Sequence, residues 1–141
     1  MPVPIRFAPW KPGPDGEAEG AAVVSVTAFT PHRPWTSVGV YLTGFTLRRG
    51  WGATEGAVGL WLWSGPGLLH PCSGSVSVWR DEEGLRGFVA RPDHVRIMRA
   101  YRDRGGIRSV TWRTDRFERA ATRERARSLI EEWCTRPAPR T

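Results

Sequence analysis

The order of the strand-like and helix-like stretches is the feature that most constrains what this chain can fold into. Apolar and polar residues alternate as in strands at 21–30, 56–64, 75–80 and 107–113. Helical spacing of apolar residues fills the intervals after the first and the third of these stretches. The resulting order, β-α-β-β-α-β, predicts an α+β fold of the ferredoxin-like kind, in which helices cover one face of an antiparallel sheet.

The second predicted strand, 56–64, is apolar on both sides. Its alternation predicts Val58 and Leu60 on one side, with Trp61 and Trp63 on the other. A strand that is buried on both sides needs a cover for both faces of its sheet. We therefore expect a second copy of the chain to pack its sheet against this one, which would give a dimeric α+β barrel.

Capping and turn residues set the bounds of the predicted helices. Pro34 suits the start of the first helix, and Gly50 suits the position just after its end. Asp81 is expected to cap the second helix, and Pro92 fits the first turn of a third. An extra amphipathic helix is predicted at the C-terminal end, over 115–133.

Length and composition predict one domain with short extensions. A chain of 141 residues fits a single domain. Residues 1–20 are rich in Pro and Gly and predict an extended arm. Residues 21–134 are expected to form the domain, and 135–141 a tail.

The charge pattern and the apolar runs limit the classes of partner. The net charge is +7, and eleven arginines stand against four acids over 96–127. No nucleic-acid-binding motif accompanies them, so we predict solubilising charge and no nucleic-acid partner. The longest apolar run, 57–63, is far too short to span a bilayer, and the N-terminus does not resemble a signal peptide. We expect a cytoplasmic protein with no membrane partner.

Two stretches carry a resemblance to a known family. The sequence SVSVWRDEEGLRGFVARPDHVRIMR, 75–99, combines a strand ending in Val-Trp, an acidic helix start, L-x-x-F and H-x-x-x-M-R. It resembles the spheroidene monooxygenase-like branch of the dimeric α+β barrel superfamily, which also includes antibiotic biosynthesis monooxygenases. The later TWRTDRF, 111–117, is similar to the family's strand that closes with an arginine and a phenylalanine.

The resemblance implies an enzyme, a monooxygenase-like oxidoreductase acting on a hydrophobic or aromatic small molecule in bacterial specialised metabolism. The branch is associated with haem, whereas the wider superfamily includes cofactor-free oxygenases, so the cofactor is either haem or none. A cofactor-free cyclase or isomerase on the same fold is an alternative, as is a non-catalytic protein that binds a small ligand. All of these alternatives predict a homodimer.

His94 is the leading candidate for a catalytic residue. It shares one helical face with Met98 and Tyr101, and Phe88 would lie close by. Three roles are open for it: a structural residue near a helix start, a general acid/base, or an axial haem ligand. The resemblance favours a role in a pocket, and Tyr101 and Arg113 are the other catalytic candidates.

Large side chains are expected to line that pocket, because flat hydrophobic ligands bind among aromatic residues. The candidates are Tyr41, Phe45, Trp61, Trp63, Trp79, Phe88, Met98 and Trp112. The alternative for the tryptophans is that they fill the core or the dimer interface. Arg108, Arg113 and Arg116 are candidates to hold an anionic oxygen at the pocket mouth.

Other kinds of site are not indicated. His70 and Cys72 form a metal half-site in His-Pro-Cys, but no further ligands stand at the spacing that zinc requires, so no metal site is predicted. The sequence has no nucleophile elbow, phosphate-binding loop or dinucleotide fingerprint, which argues against a hydrolase, a kinase or a nicotinamide enzyme.

Overall fold

A computed structural model describes residues 5–15, 20–33, 36–65 and 72–135 of the chain. Within these ranges the strands are β1 Arg6–Phe7, β2 Lys11–Pro12, β3 Ala22–Pro31, β4 Ala57–Ser64, β5 Ser73–Trp79 and β6 Gly105–Thr114. The helices are α1 Thr36–Arg49, α2 Glu82–Val89, α3 Pro92–Tyr101 and α4 Arg119–Thr135, with a short 3₁₀ turn at Trp51–Ala53.

The strands form one antiparallel sheet in the order β1-β4-β5-β3-β6, and β2 also pairs with β4. The hairpin strands β4 and β5 are therefore neighbours, and β3 lies between β5 and β6. This is the ferredoxin-like arrangement of a split β-α-β-β-α-β chain. The predicted fold class is confirmed.

The local sequence explains where two of the helices, α2 and α3, begin. The Asp81 carboxylate accepts a hydrogen bond from the Gly84 N–H at 2.9 Å and so caps α2. Pro92 occupies the first turn of α3, where its missing N–H costs no helical hydrogen bond. Both predictions for these helix starts are confirmed.

The alternation of β4 is broken near its start. Ala57 pairs with Trp79 and Gly59 pairs with Val78, which leaves Val58 as an extra residue in a bulge. Val58 consequently packs in the same cluster as Trp61. The prediction that Val58 shares a face with Leu60 was wrong, because a bulge shifts the alternation by one residue.

The chain covers both faces of its own sheet. Helices α1, α2 and α3 lie on one side, where a cavity separates them from the strands. On the other side α4 contributes the fully buried Ala126 and Ile130, and the N-terminal arm contributes Ile5, to a cluster with Val24 and Val76 of the sheet. The premise that only a second copy could cover this face was wrong. The homodimer itself stays a prediction.

The arginines of α4 have a structural role in this packing. Arg119 lies over the Trp10 ring at 5.6 Å, and Arg125 lies over the Trp112 ring at 4.2 Å. Arg127 lies 5.0 Å from the Phe7 ring and donates a hydrogen bond to a backbone carbonyl of the arm. Guanidinium groups over aromatic faces stabilise the contact between α4, the arm and the sheet.

We expect Ile130→Ala to lower the free energy of unfolding by about 2–5 kcal/mol, because it leaves a cavity under α4. Ser128→Ala is the matched control, since Ser128 is exposed on the same helix, and it should change stability by less than about 0.5 kcal/mol. Urea denaturation of the three proteins measures both values. Equal midpoints would contradict the packing of α4 described here.

Candidate active site

A cavity of about 590 Å³ lies between the sheet and helices α1 to α3. Its helical walls are almost entirely apolar and include Leu47, Leu85, Phe88, Ile97 and Met98. Such a space is in the size range of small-molecule sites, and apolar walls of this kind favour a hydrophobic ligand.

Hydroxyl groups form the floor of the cavity. Because side chains alternate along a strand, the serines of SGSVSVW in β5 all face the helices while the valines face α4. The hydroxyl residues that line the cavity from the sheet are Ser25, Thr27, Ser64, Ser73, Ser75, Ser77 and Ser109. A ligand here would meet apolar walls and a floor that donates and accepts hydrogen bonds.

Some of these hydroxyls are already bound within the sheet. Ser77 Oγ donates to the Ser25 carbonyl at 3.4 Å and accepts from Trp79 Nε1 at 3.0 Å. Thr111 Oγ1 donates to Ser25 Oγ at 3.3 Å. The network holds the Trp79 end of the floor in a fixed arrangement.

His94 lines the cavity near the start of α3. Its ring packs edge-on against Phe88, with 5.0 Å between the centroids. Burial lowers the pKa of the imidazole below its usual range, although the Val89 carbonyl and the Asp93 carboxylate act in the opposite direction. A lowered pKa keeps His94 neutral at neutral pH, which is the state of a general base.

Two residues of the cavity lining carry a buried polar nitrogen without a hydrogen-bond partner among the described residues. They are Trp51, through Nε1, and His94, through Nδ1. Buried polar atoms are nearly always paired, so such a group marks a place where a further partner is expected. Two of them around one cavity support a ligand that carries polar atoms.

Arg6 of β1 and His94 are the basic side chains of the lining, and no carboxylate joins them in the part of the cavity that the structure describes.

The arginines that were predicted to hold an anionic oxygen lie elsewhere. Arg113 forms an ion pair with Glu82 at an exposed position, and Arg108 lies near the Cys72 thiol on the face covered by α4. Arg116 is exposed in the turn before α4. None of these three candidate arginines lines the cavity, whereas Arg6 does.

Four of the predicted site residues line the cavity: Phe45, Phe88, His94 and Met98. Trp63 borders it as well, but its ring packs with Trp61 in the cluster on the α4 face of the sheet. Trp61 and Trp112 do not line the cavity, because they point to the other face of the sheet, where α4 and the arm cover them. Trp79 lies on the cavity face but is fully buried behind the rings of Trp51 and Phe88, at 5.0 and 5.4 Å.

Tyr101 is not among the described residues that line the cavity. Its ring packs edge-on against Phe29, at 5.8 Å, and its hydroxyl lies close to the backbone of Gly39 in α1. The lack of a Cβ at Gly39 makes room for that hydroxyl. Tyr101 therefore joins α3 to α1, and the structure does not bring it to His94. The predictions for the Tyr41 side chain and for His70 lie outside the described residues.

Trp51, Arg6 and the serine floor were not predicted from the sequence. Trp51 is buried in a 3₁₀ turn that carries no helical or strand periodicity. Arg6 reaches the cavity only because β1 pairs with the end of β4, with Arg6 opposite Ser64. The alternating serines of β5 were visible in the sequence, but alternation alone does not say which face of a strand borders a cavity.

The lining does not fit haem, the cofactor that the family resemblance implied. The faces of a porphyrin are apolar, but the floor here is a row of hydroxyls. Haem carries two propionates, whereas the described part of the lining includes one arginine, Arg6.

Two other observations concern the described ranges as a whole. Their side chains include no group of three or more His, Cys, Asp or Glu residues placed to hold a metal ion. Nor does any helix within those ranges have the length and hydropathy needed to cross a membrane.

No protein-family model matches the chain, and no curated protein matches it. Among solved structures, it is similar to a variant of SnoaB, a cofactor-independent oxygenase from Streptomyces nogalater. The two are 22% identical, with a TM-score of 0.47 over 64% of this chain and 90% of that one. A second SnoaB structure is 16% identical, with a TM-score of 0.48 over 70% and 96%. Structural similarity at this level gives no information about the substrate or the reaction of this protein.

Proposed function

We propose that this protein is a cofactor-independent oxygenase that acts on a hydrophobic or aromatic small molecule in bacterial specialised metabolism. The observation that carries the proposal is a cavity with apolar walls, a hydroxyl floor and one half-buried, neutral imidazole. Such a site can hold a flat, oxygen-bearing substrate and remove a proton from it.

The proposed reaction starts with proton transfer to His94. A substrate CH₂ group made acidic by neighbouring phenol or carbonyl groups loses a proton to the imidazole, and the carbanion reduces dioxygen directly. The hydroperoxide that forms loses water to leave a carbonyl, so that CH₂ and O₂ give C=O and H₂O. Apolar walls exclude water from the carbanion, and the hydroxyl floor would stabilise the negative charge on the substrate oxygen.

Arg6 is placed to add to that stabilisation. It contributes a positive charge to a lining that includes no described carboxylate. A substrate with an acidic group would be oriented with that group toward the β1 end of the cavity, away from His94 at the Phe88 end. Fixed orientation of this kind lowers the entropic cost of reaching the reactive geometry.

Oxygen uptake tests the proposal. Chelator-treated protein whose visible spectrum shows no haem is incubated with a series of polycyclic phenols in an oxygen electrode cell, and products are analysed by mass spectrometry in ¹⁸O₂. We expect uptake of one O₂ per product with one ¹⁸O retained. A substrate that rearranges without oxygen uptake would support the cyclase or isomerase instead. Binding without any turnover would support a ligand-binding protein.

We also propose a cytoplasmic homodimer, now through the edge of the sheet. Strand β6 is an edge strand of ten residues, and it exposes Ile107 and Val110. Unpaired edges with apolar side chains favour pairing with another chain. Sedimentation should give twice the monomer mass of 15.8 kDa, and Val110→Glu should shift the protein toward monomer. A monomer at micromolar concentration would contradict the proposal.

A further inference from the structure

Two cysteines that are remote in the sequence lie together under the end of α4. Cys72 immediately precedes β5 and is 7% exposed, and Cys134 is the next-to-last residue of α4. The two thiols interact through a side-chain hydrogen bond. Gly65 lies against both residues, since a Cβ there would be 3.3 Å from Cys134 Sγ and 3.3 Å from the Cys72 carbonyl oxygen.

The two thiols have different surroundings. Both thiols belong to the apolar cluster under α4, and the Arg108 guanidinium lies near both. Cys72 Sγ also accepts a hydrogen bond from Thr30 Oγ1 at 3.6 Å, a donor that Cys134 lacks among the described residues. A hydroxyl donor of this kind stabilises a thiolate at Cys72.

The pKa directions agree with this asymmetry. The hydrogen bond from Cys134, together with Thr30 and Arg108, lowers the pKa of Cys72 against the opposing effect of burial. The hydrogen bond to Cys72 and burial raise the pKa of Cys134, against a smaller opposing effect of Arg108. A thiol of lowered pKa beside one of raised pKa is the arrangement of a nucleophilic cysteine and its resolving partner.

We propose that Cys72 and Cys134 form a peroxide-sensitive dithiol that closes to an intramolecular disulfide and fixes the end of α4 to the sheet. The Cys72 thiolate attacks hydrogen peroxide, which gives a sulfenic acid and hydroxide. The Cys134 thiol then attacks the sulfenic sulfur and forms the S–S bond, and the sulfenic oxygen leaves as water with the thiol proton. Two electrons pass from the thiols to the peroxide, and a dithiol reductant reverses the modification.

The disulfide would act at two places in the fold. It would hold α4 against the sheet face opposite the cavity. It would also fix the chain next to Ser73, which lines the cavity and pairs with Ser64 of β4. Oxidation is therefore expected to stabilise the fold and to restrict the Arg6 end of the cavity, without a change at His94.

The test uses the full-length protein, reduced and then exposed to hydrogen peroxide. Intact mass under non-reducing conditions should fall by about 2 Da, the two hydrogens lost on disulfide formation. Free-thiol titration should fall from two to none, and the melting temperature should rise by about 5–10 °C. Addition of a dithiol reductant should restore the original values.

Two variants separate the roles of the thiols. Cys134→Ser should stop at a Cys72 sulfenic acid that a dimedone probe captures. Cys72→Ser should leave Cys134 oxidised at least about tenfold more slowly, because Cys134 remains a thiol. Circular dichroism checks that each variant folds, and the wild-type mass measurement decides even if one does not. Unchanged thiols in the wild-type protein, mixed intermolecular dimers only, or equal rates in the two variants would overturn the proposal.

Discussion

His94→Asn is expected to lower turnover about 10²–10⁴-fold, the usual contribution of a positioned general base. Asn keeps a hydrogen-bonding side chain of similar polarity but cannot accept the substrate proton near neutral pH. Steady-state kinetic assays should show the loss in kcat with little change in KM, because the substrate still binds the walls and floor of the cavity.

His32→Asn is the matched control. His32 is exposed at the end of β3, outside the cavity lining, and its replacement should leave turnover within about twofold, since exposed surface changes have small effects. A stable His94→Asn protein with full activity would remove His94 from the proposed chemistry and leave it as a residue of the helix start.

The pKa of His94 also predicts a pH dependence. Burial places its folded pKa below the ordinary value of 6.5, so the unfolded chain binds a proton more readily than the folded one. The stability that the neutral imidazole contributes is complete above about pH 6.5 and is lost as the pH falls through the folded pKa. Turnover should fall over the same range as the base is protonated. The wild-type protein should lose more stability on acidification than His94→Asn does.

Ser75→Phe is expected to remove ligand binding, with affinity weakened at least about 100-fold, or roughly 2.7 kcal/mol. Ser75 lies on the floor in the middle of β5 and points toward the helical walls. A phenyl ring there would occupy space that a flat ligand needs. Quenching of tryptophan fluorescence by a bound polycyclic phenol is a suitable measurement, because Trp51 borders the cavity.

The control for this substitution is Ser128→Phe, which adds the same ring at an exposed position of α4. It should bind the ligand as the wild-type protein does. Overfilling can cost about 1–3 kcal/mol of stability, so thermal unfolding of both variants must accompany the titration. Full binding by a folded Ser75→Phe protein would place the ligand outside this cavity.

Periodicity predicted the fold well because each strand and helix carries its own local pattern. The alternation of β3 and β5, the cap at Asp81 and the proline of α3 all act within a few residues, and the structure has them as expected. The bulge at Val58 was not predictable in this way, because it depends on the pairing partner rather than on β4 itself.

The site was harder to predict because it depends on which face of the sheet the cavity borders. Trp61 and Trp63 alternate with leucines in β4, and the tryptophan side was expected to face the pocket. In the structure α4 folds back over that side, so Trp61 becomes core. Neither the destination of α4 nor the meeting of Cys72 with Cys134 follows from local spacing, since each joins segments far apart in the chain.

A crystal structure with a bound polycyclic phenol would show where the ligand binds and what faces its reactive carbon. We predict that the ligand lies between the Ser75 floor and the Phe88 wall, with a reactive carbon within hydrogen-bonding distance of a His94 nitrogen. Its oxygens should meet floor hydroxyls, and any acidic group should lie toward Arg6. A ligand found under α4, on the edge of β6 or with its reactive carbon remote from His94 would contradict this prediction.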